Sequence, residues 1–359
     1  MHGNLRHSGL PAYGPKPVSI FRAHGANPEK LCQECGLPLP PRLYDFSTNT
    51  NAVPQREGFL PDLKAALEDY PDDDCAELTS FIASRRGRKE KEIFVSAGSN
   101  EAIYLLSSLL AEAPNYIYEP VYGEYRRALA AYGAAAESIH SLNSELPAGS
   151  ALWLCNPCNP TGKFIADSEL DSLIESHPQT LFIVDEAYRG FIWKQRPDGP
   201  GRAHPNLIRL HSLTKLYNLC GARIAYLEAP EAITARLRAR RPGWSVSGLA
   251  QQAALYFMRD ESLPARTAHY YAAEIPRLRE ALAAEGFETE ESCVNFFLLK
   301  TEDDEKLLRF MLQRGIVLRH TRNFQGLDGR YVRIAARTKE EDNLLIAAFR
   351  EYAQKRTKE

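Results

Sequence analysis

Lys215 closes the run Ser212-Leu213-Thr214-Lys215, and Arg223 follows a short way on. Two hydroxyls, an amine and a guanidinium are thereby grouped along the chain. Such an amine can add reversibly to an aldehyde. Hydroxyls beside a guanidinium suit a phosphate. Upstream, Asp185-Glu186-Ala187-Tyr188 follows directly on the apolar run Leu181-Phe182-Ile183-Val184. A carboxylate at the end of an apolar strand costs free energy unless a cation pairs with it. Earlier still, Asn156-Pro157-Cys158-Asn159-Pro160-Thr161-Gly162 reads as a stiff turn able to aim an Asn amide. Ala97-Gly98-Ser99-Asn100-Glu101 opens a helix whose free N–H groups suit an anion. Each motif has a bland counterpart in a plain cap, a plain turn or a surface lysine.

The elements that must carry these groups are legible in the apolar pattern. Ile93-Phe94-Val95, Tyr116-Ile117-Tyr118, Ala151-Leu152-Trp153-Leu154, Leu181 to Val184, Leu207-Ile208-Arg209-Leu210 and Ile224-Ala225-Tyr226-Leu227 are short apolar runs separated by helical patterns. That alternation predicts an α/β fold: a mostly parallel central sheet with helices on both faces. Ligands bind beyond the carboxyl ends of the strands in such sheets, where these motifs lie. After residue 245 a long helical stretch to about residue 285 precedes strands at 295–299 and 331–334 and a closing helix near 339–355. This predicts a smaller α+β domain. The expected division is an N-terminal arm over 1–44, a large domain over 45–244 and a small domain over 245–359.

Composition excludes several classes. The chain has 359 residues, and 44 Lys+Arg against 46 Asp+Glu leave a net charge of -2, with no basic footprint for nucleic acid or an anionic membrane. Hydrophobic residues at 44% and charged residues at 25% are globular values and exclude a disordered chain. No apolar run is long enough to span a bilayer and the N-terminus shows no secretory pattern, so a cytoplasmic protein is expected. Seven cysteines are an odd number, which argues against a disulfide framework. Cys32/Cys35 and Cys155/Cys158 have CxxC spacing, yet the second pair interrupts the Asn-Pro turn, so no metal site is expected.

Taken in order, Gly-Ser-Asn-Glu, Asn-Pro-x-Asn-Pro-Thr-Gly, Asp-Glu-Ala-Tyr, Ser-x-Thr-Lys and Arg223 resemble the signature of the fold-type I pyridoxal-phosphate enzymes, over most of residues 45–350. The resemblance implies pyridoxal 5'-phosphate as cofactor, with Lys215 holding its aldehyde covalently and Asp185 keeping its pyridine nitrogen protonated. Tyr188 and Asn159 would bond the ring's phenolic oxygen, and Tyr122 would stack on the ring. Ser99, Asn100, Ser212, Thr214 and Arg223 would hold its phosphate. Tyr70 matches a tyrosine that reaches the neighbouring subunit's cofactor, which implies a homodimer with shared sites.

Two branches of that family compete: the threonine-phosphate decarboxylases of cobalamin biosynthesis and the histidinol-phosphate aminotransferases. Asp45-Phe46-Ser47-Thr48-Asn49-Thr50-Asn51, His24-Gly25-Ala26-Asn27, Pro242-Gly243-Trp244-Ser245-Val246-Ser247 and the segment Leu327 to Arg337 resemble the decarboxylases more closely. Ala26 replaces a glycine of that pattern, Gly243 is inserted and Ser247 replaces an Asn. The likeness implies release of CO₂ from L-threonine O-3-phosphate to give (R)-1-amino-2-propanol O-2-phosphate, with serine phosphate as a possible substrate. His24, Asn49, Arg333 and Arg337 would recognise the substrate's phosphate and carboxylate. An aminotransferase is the alternative. A non-catalytic cofactor-binding protein is a third reading, although the arm shows no helix-turn-helix pattern.

Overall fold

The computed structural model describes residues 20–21, 25–194 and 201–356. His24 lies outside the described residues. The strands, in chain order, are β1 Tyr44–Asp45, β2 Ile93–Ser96, β3 Asn115–Tyr118, β4 Ala136–Ile139, β5 Ala151–Cys155, β6 Leu181–Asp185, β7 Leu207–Ser212, β8 Ala225–Glu228, β9 Phe296–Lys300, β10 Ile316–Val317, β11 Arg319–His320 and β12 Tyr331–Ala335.

The apolar runs become strands: every residue of β2, β5 and β8 is buried, while β3 alternates buried and half-buried positions. Seven strands form the central sheet in the order β2-β8-β7-β6-β5-β3-β4. All pairings are parallel except those of β8, which runs antiparallel to both its neighbours. The two-residue side-chain period divides the core. Trp153, Ile183 and Ile208 pack with residues of the helices Ser99–Leu109 and Glu124–Ala131. Leu152, Leu154, Phe182 and Val184 pack with Leu170 and Ile174 of the helix Asp167–Ser176. Helices therefore cover both faces.

The C-terminal region is a three-stranded antiparallel sheet, β11-β12-β9, packed with the helices Leu263–Ala284 and Lys339–Arg356. The long helical stretch after residue 245 is two helices, Gly248–Met258 and Leu263–Ala284. The break falls where Asp260 turns its carboxylate onto the Ser262 N–H at 3.1 Å. The segment after residue 44 is tied to both parts of the fold: Asn51 bonds to the Leu216 carbonyl and Asn218 after β7, while the residues before it join the C-terminal strands. β1 pairs parallel with β10, the Phe46 N–H donates to the Val317 carbonyl, and the Ala335 N–H donates to the Phe46 carbonyl. Among the described residues no helix is long and apolar enough to cross a membrane.

The closing helix is anchored by an acid with no exposed surface. Asp342 accepts the Arg337 N–H at 2.9 Å and faces Glu274, which Arg277 holds by ion pairing. Burial, with Glu274 alongside, pushes Asp342 up from 3.8 to about 8, so it keeps its proton at neutral pH. A carboxyl raised on folding contributes stability below its unfolded value, and that contribution is lost as pH climbs through its folded value. Asp342→Asn should therefore gain on the parent protein as pH rises from about 5 to 9. Thermal unfolding of both proteins across that range checks this; a gap that does not change with pH would contradict it.

Candidate active site

The motifs that follow β2, β5, β6 and β7 sit at the carboxyl ends of their strands, around one cleft of about 630 Å³, and Arg223 joins them from just before β8. β2 feeds the helix Ser99–Leu109 through Gly98, whose φ is +82°. A Cβ at Gly98 would stand 2.7 Å from an Arg223 guanidinium nitrogen, so glycine is required by both backbone and space. Arg223 itself holds a left-handed φ of 59° and donates to the Cys220 carbonyl at 3.0 Å. Ser212 and Thr214 share a hydrogen bond of 2.7 Å, and the Ser99 hydroxyl has no partner among the described residues. Three hydroxyls, a guanidinium and a helix N-terminus thus line one end of the cleft. That donor set fits a phosphate dianion.

Asp185 and Glu186 are adjacent yet differently compensated. Glu186 takes the guanidiniums of Arg209 and Arg189. Among the described residues no ion pair reaches Asp185. Its oxygens accept from the Tyr125 hydroxyl at 2.7 Å and the Ala187 N–H at 2.9 Å. Burial pushes its carboxyl above the ordinary value, against the pull of the Tyr125 hydrogen bond. A buried carboxylate without a cation in its own protein suits a ligand that brings one, such as a protonated ring nitrogen. Burial, reinforced by the Arg333 and Arg223 guanidiniums against an opposing influence from Cys220, holds the Lys215 amine below its ordinary value. More of it is then the neutral nucleophile.

The Asn-Pro turn is closed by the Asn156 side chain, which donates to the Ile165 carbonyl and accepts its N–H. It aims Asn159, whose carbonyl oxygen accepts from Arg333 and leaves the amide NH₂ for a ligand. Tyr188 accepts from the Asn49 amide at 3.0 Å, so its own proton is available to a partner in the cleft. Burial pushes the Tyr122 hydroxyl up to about 12 and that of Tyr188 up as well. Both therefore act as hydrogen-bond donors.

Most residues singled out from the sequence line this cleft: Asn49, Ser99, Asn100, Tyr122, Asn159, Asp185, Tyr188, Ser212, Thr214, Lys215, Arg223 and Arg333. Two do not. Arg337 binds Glu341 at 2.9 Å and the Asp45 carbonyl at 3.2 Å, away from the lining, because it falls beyond the end of β12. Tyr70 is 81% exposed and packs on Trp244 with ring centroids 4.8 Å apart. Sequence reasoning missed Arg319. It is buried, lines the cleft, binds Asn323 at 2.8 Å and lies directly across from Arg333 in the β11–β12 register. Burial, with Arg333 opposite, pushes its guanidinium down to about 9. All seven cysteines are free, and the described residues hold no His/Cys/Asp/Glu cluster able to bind a metal.

Residues 43–349 match the family described as aminotransferase class I and II. The chain belongs to that family. Its cofactor is pyridoxal 5'-phosphate, and the hydroxyl cradle, the uncompensated Asp185 and the depressed Lys215 fit that group. The threonine-phosphate decarboxylase of Salmonella typhimurium is 31% identical over 93% of this chain and 97% of that protein. Histidinol-phosphate aminotransferase 2 of Carboxydothermus hydrogenoformans is 29% identical over 76% and 83%. The crystal structure of L-threonine-O-3-phosphate decarboxylase from Porphyromonas gingivalis superposes with a TM-score of 0.76 at 26% identity, covering 82% of this chain and 93% of that one. A Sinorhizobium meliloti histidinol-phosphate aminotransferase shares the fold, with a TM-score of 0.77 at 21% identity over 97% and 99% of the chains.

Gly98→Ala should weaken cofactor affinity by about 5- to 100-fold, because the new methyl displaces Arg223. Titrating the apoprotein with pyridoxal 5'-phosphate measures this, and an unchanged dissociation constant would contradict it. Lys215→Ala should abolish the visible absorbance band of the bound cofactor.

Proposed function

We propose that this protein decarboxylates L-threonine O-3-phosphate to (R)-1-amino-2-propanol O-2-phosphate. The observation that carries this reading is the cross-strand pair Arg319 and Arg333, two buried arginines that face each other in the β11–β12 register and both line the cleft. Like charges directly opposite on neighbouring strands destabilise a sheet. A substrate carrying two anionic groups on a short skeleton relieves that repulsion. Threonine phosphate has a phosphate and, three bonds from its ester oxygen, a carboxylate, and so meets both arginines as a single substrate. The similarity to the Salmonella typhimurium decarboxylase over nearly the whole of both chains supports the same choice.

Arg333 lies beside Asn159 and acts on Lys215, so we assign it the carboxylate next to the reacting carbon. Arg319, backed by Asn323, takes the phosphate. The bound cofactor supplies an electron-accepting ring conjugated to the substrate's α-carbon. Arg319 would hold the phosphate and Arg333 the carboxylate, which would fix the orientation of the bond that breaks. Asp185 would keep the ring nitrogen protonated, and Asn159 and Tyr188 would hold the ring's phenolic oxygen. Lys215 Nζ delivers the proton that replaces CO₂ on the α-carbon. Asn49 completes the substrate side by way of Tyr188.

The working unit in this reading is a homodimer. Tyr70, Leu60 and Leu67 are exposed by 81, 91 and 79%, an apolar edge suited to a second copy that receives Tyr70 at its cofactor phosphate. Its free thiols suit the reducing cytoplasm.

Threonine phosphate supplied without any oxo-acid should yield equal amounts of CO₂ and aminopropanol phosphate. Turnover that requires 2-oxoglutarate would overturn the assignment in favour of an aminotransferase. Serine phosphate lacks one methyl, worth about 1–3 kcal/mol in a pocket, and should react with a kcat/KM lower by about 5- to 150-fold. Arg319→Gln should raise the KM for threonine phosphate by about 10- to 100-fold with cofactor binding intact. Arg337→Gln, away from the cleft, should change kcat/KM by less than about threefold.

A further inference from the structure

Asp185 is held from behind by a residue that no sequence motif marks. Tyr125, on the helix Glu124–Ala131, is buried and donates its hydroxyl to Asp185 Oδ2 at 2.7 Å. The ring has no freedom to leave. It stacks on Trp153 with centroids 5.7 Å apart and planes 28° apart, and it meets Tyr122 edge-on at 5.9 Å. Trp153 is in turn fixed by its indole N–H, which donates to Asn115 Oδ1 at 3.0 Å. A continuous line, Asn115, Trp153, Tyr125, Asp185, therefore runs from the start of β3 through β5 to the end of β6.

We propose that Tyr125 is the positioning residue for Asp185, fixing the rotamer of its carboxylate and setting how firmly that carboxylate leaves the proton on the cofactor's ring nitrogen. The inference rests on Asp185 meeting that nitrogen. The Ala187 N–H binds Oδ1 and the Tyr125 hydroxyl binds Oδ2, so both oxygens are anchored from the protein side. Each keeps lone pairs for a ligand. A rotating carboxylate would pay entropy on meeting the ring; one held by two donors does not.

The hydroxyl also acts electrically. The titratable groups acting on Asp185 are Tyr125 from the helix, Tyr122 from the turn before it, Cys155 on β5, Glu186 beside it, Tyr188 beyond and His211 on β7. Burial raises Asp185, and the Tyr125 hydrogen bond is the largest influence lowering it. Without the hydroxyl the carboxylate becomes a stronger base and draws the proton from the ring nitrogen. The ring then carries less positive charge, and the nitrogen joining Lys215 to the cofactor holds its own proton to higher pH. The visible band of the holoenzyme reports that titration directly.

The test is the pH titration of that band in the holoenzyme and in Tyr125→Phe, Trp153→Phe and Asp185→Asn. Tyr125→Phe removes one oxygen and leaves the stacked ring. Its midpoint should rise by about 0.5 to 1 pH unit, and that of Asp185→Asn by more. Trp153→Phe keeps the hydroxyl; it should lower the melting temperature more than Tyr125→Phe but move the midpoint less. A Tyr125→Phe midpoint within about 0.2 pH unit of the parent, with Asp185→Asn shifted, overturns the proposal. An equal shift in Trp153→Phe also overturns it, because packing alone would then account for the effect. If Asp185→Asn leaves the midpoint unmoved, the placement of Asp185 on the ring nitrogen falls, and the proposal falls with it.

Discussion

Three separate stretches of chain meet at one guanidinium with almost no contact with water. Arg333 leaves β12, donates to Asn159 of the large domain's Asn-Pro turn and to the Ser47 carbonyl at 2.6 Å, and lies over the Phe296 ring at 5.4 Å. Burying an ion is costly, and the cost is met here only if the turn, the segment after β1 and the small sheet arrive together. The tie therefore sets how the three-stranded sheet sits against the seven-stranded one. It also sets which way Asn159 faces. With its oxygen committed to Arg333, only the amide NH₂ is left for a ligand in the cleft, so in the proposed reading the substrate's handle and the cofactor's handle share one side chain.

The large domain was easy to read from sequence for a physical reason. β2, β5, β6, β7 and β8 are buried on both faces and appear as apolar runs, and the chemistry sits where those runs end. β4 escaped because it is an edge strand: Ala136-Glu137-Ser138-Ile139 is half-exposed and carries no apolar signal. β10 and β11 have two residues each, too short for any period to show. Arg319 was hidden for that reason. Nothing in the sequence announces that a two-residue strand will be registered against Arg333 after a loop that returns the chain.

Arg337 shows the opposite error. It shares a sequence run with Arg333, yet β12 ends at Ala335, and the guanidinium turns away to Glu341 and the Asp45 carbonyl. A motif gives the order of residues but not where a strand stops. Tyr125 was passed over because an aromatic at a helical core spacing is read as packing, which it also is. Its hydroxyl partner lies 60 positions away and becomes visible only when helix and strand are docked.

The facing of Arg319 and Arg333 has one more consequence. A cleft with two buried cations on adjacent strands is under electrostatic load, and the load falls on the three-stranded sheet that carries both. An anionic guest is then a structural counter-ion as well as a reactant, and its departure returns the strain to the sheet. In the proposed reaction, loss of CO₂ would remove one of the two negative groups while the phosphate stays. The cleft would then end that reaction half-discharged, its grip on what remains weakened by the chemistry itself.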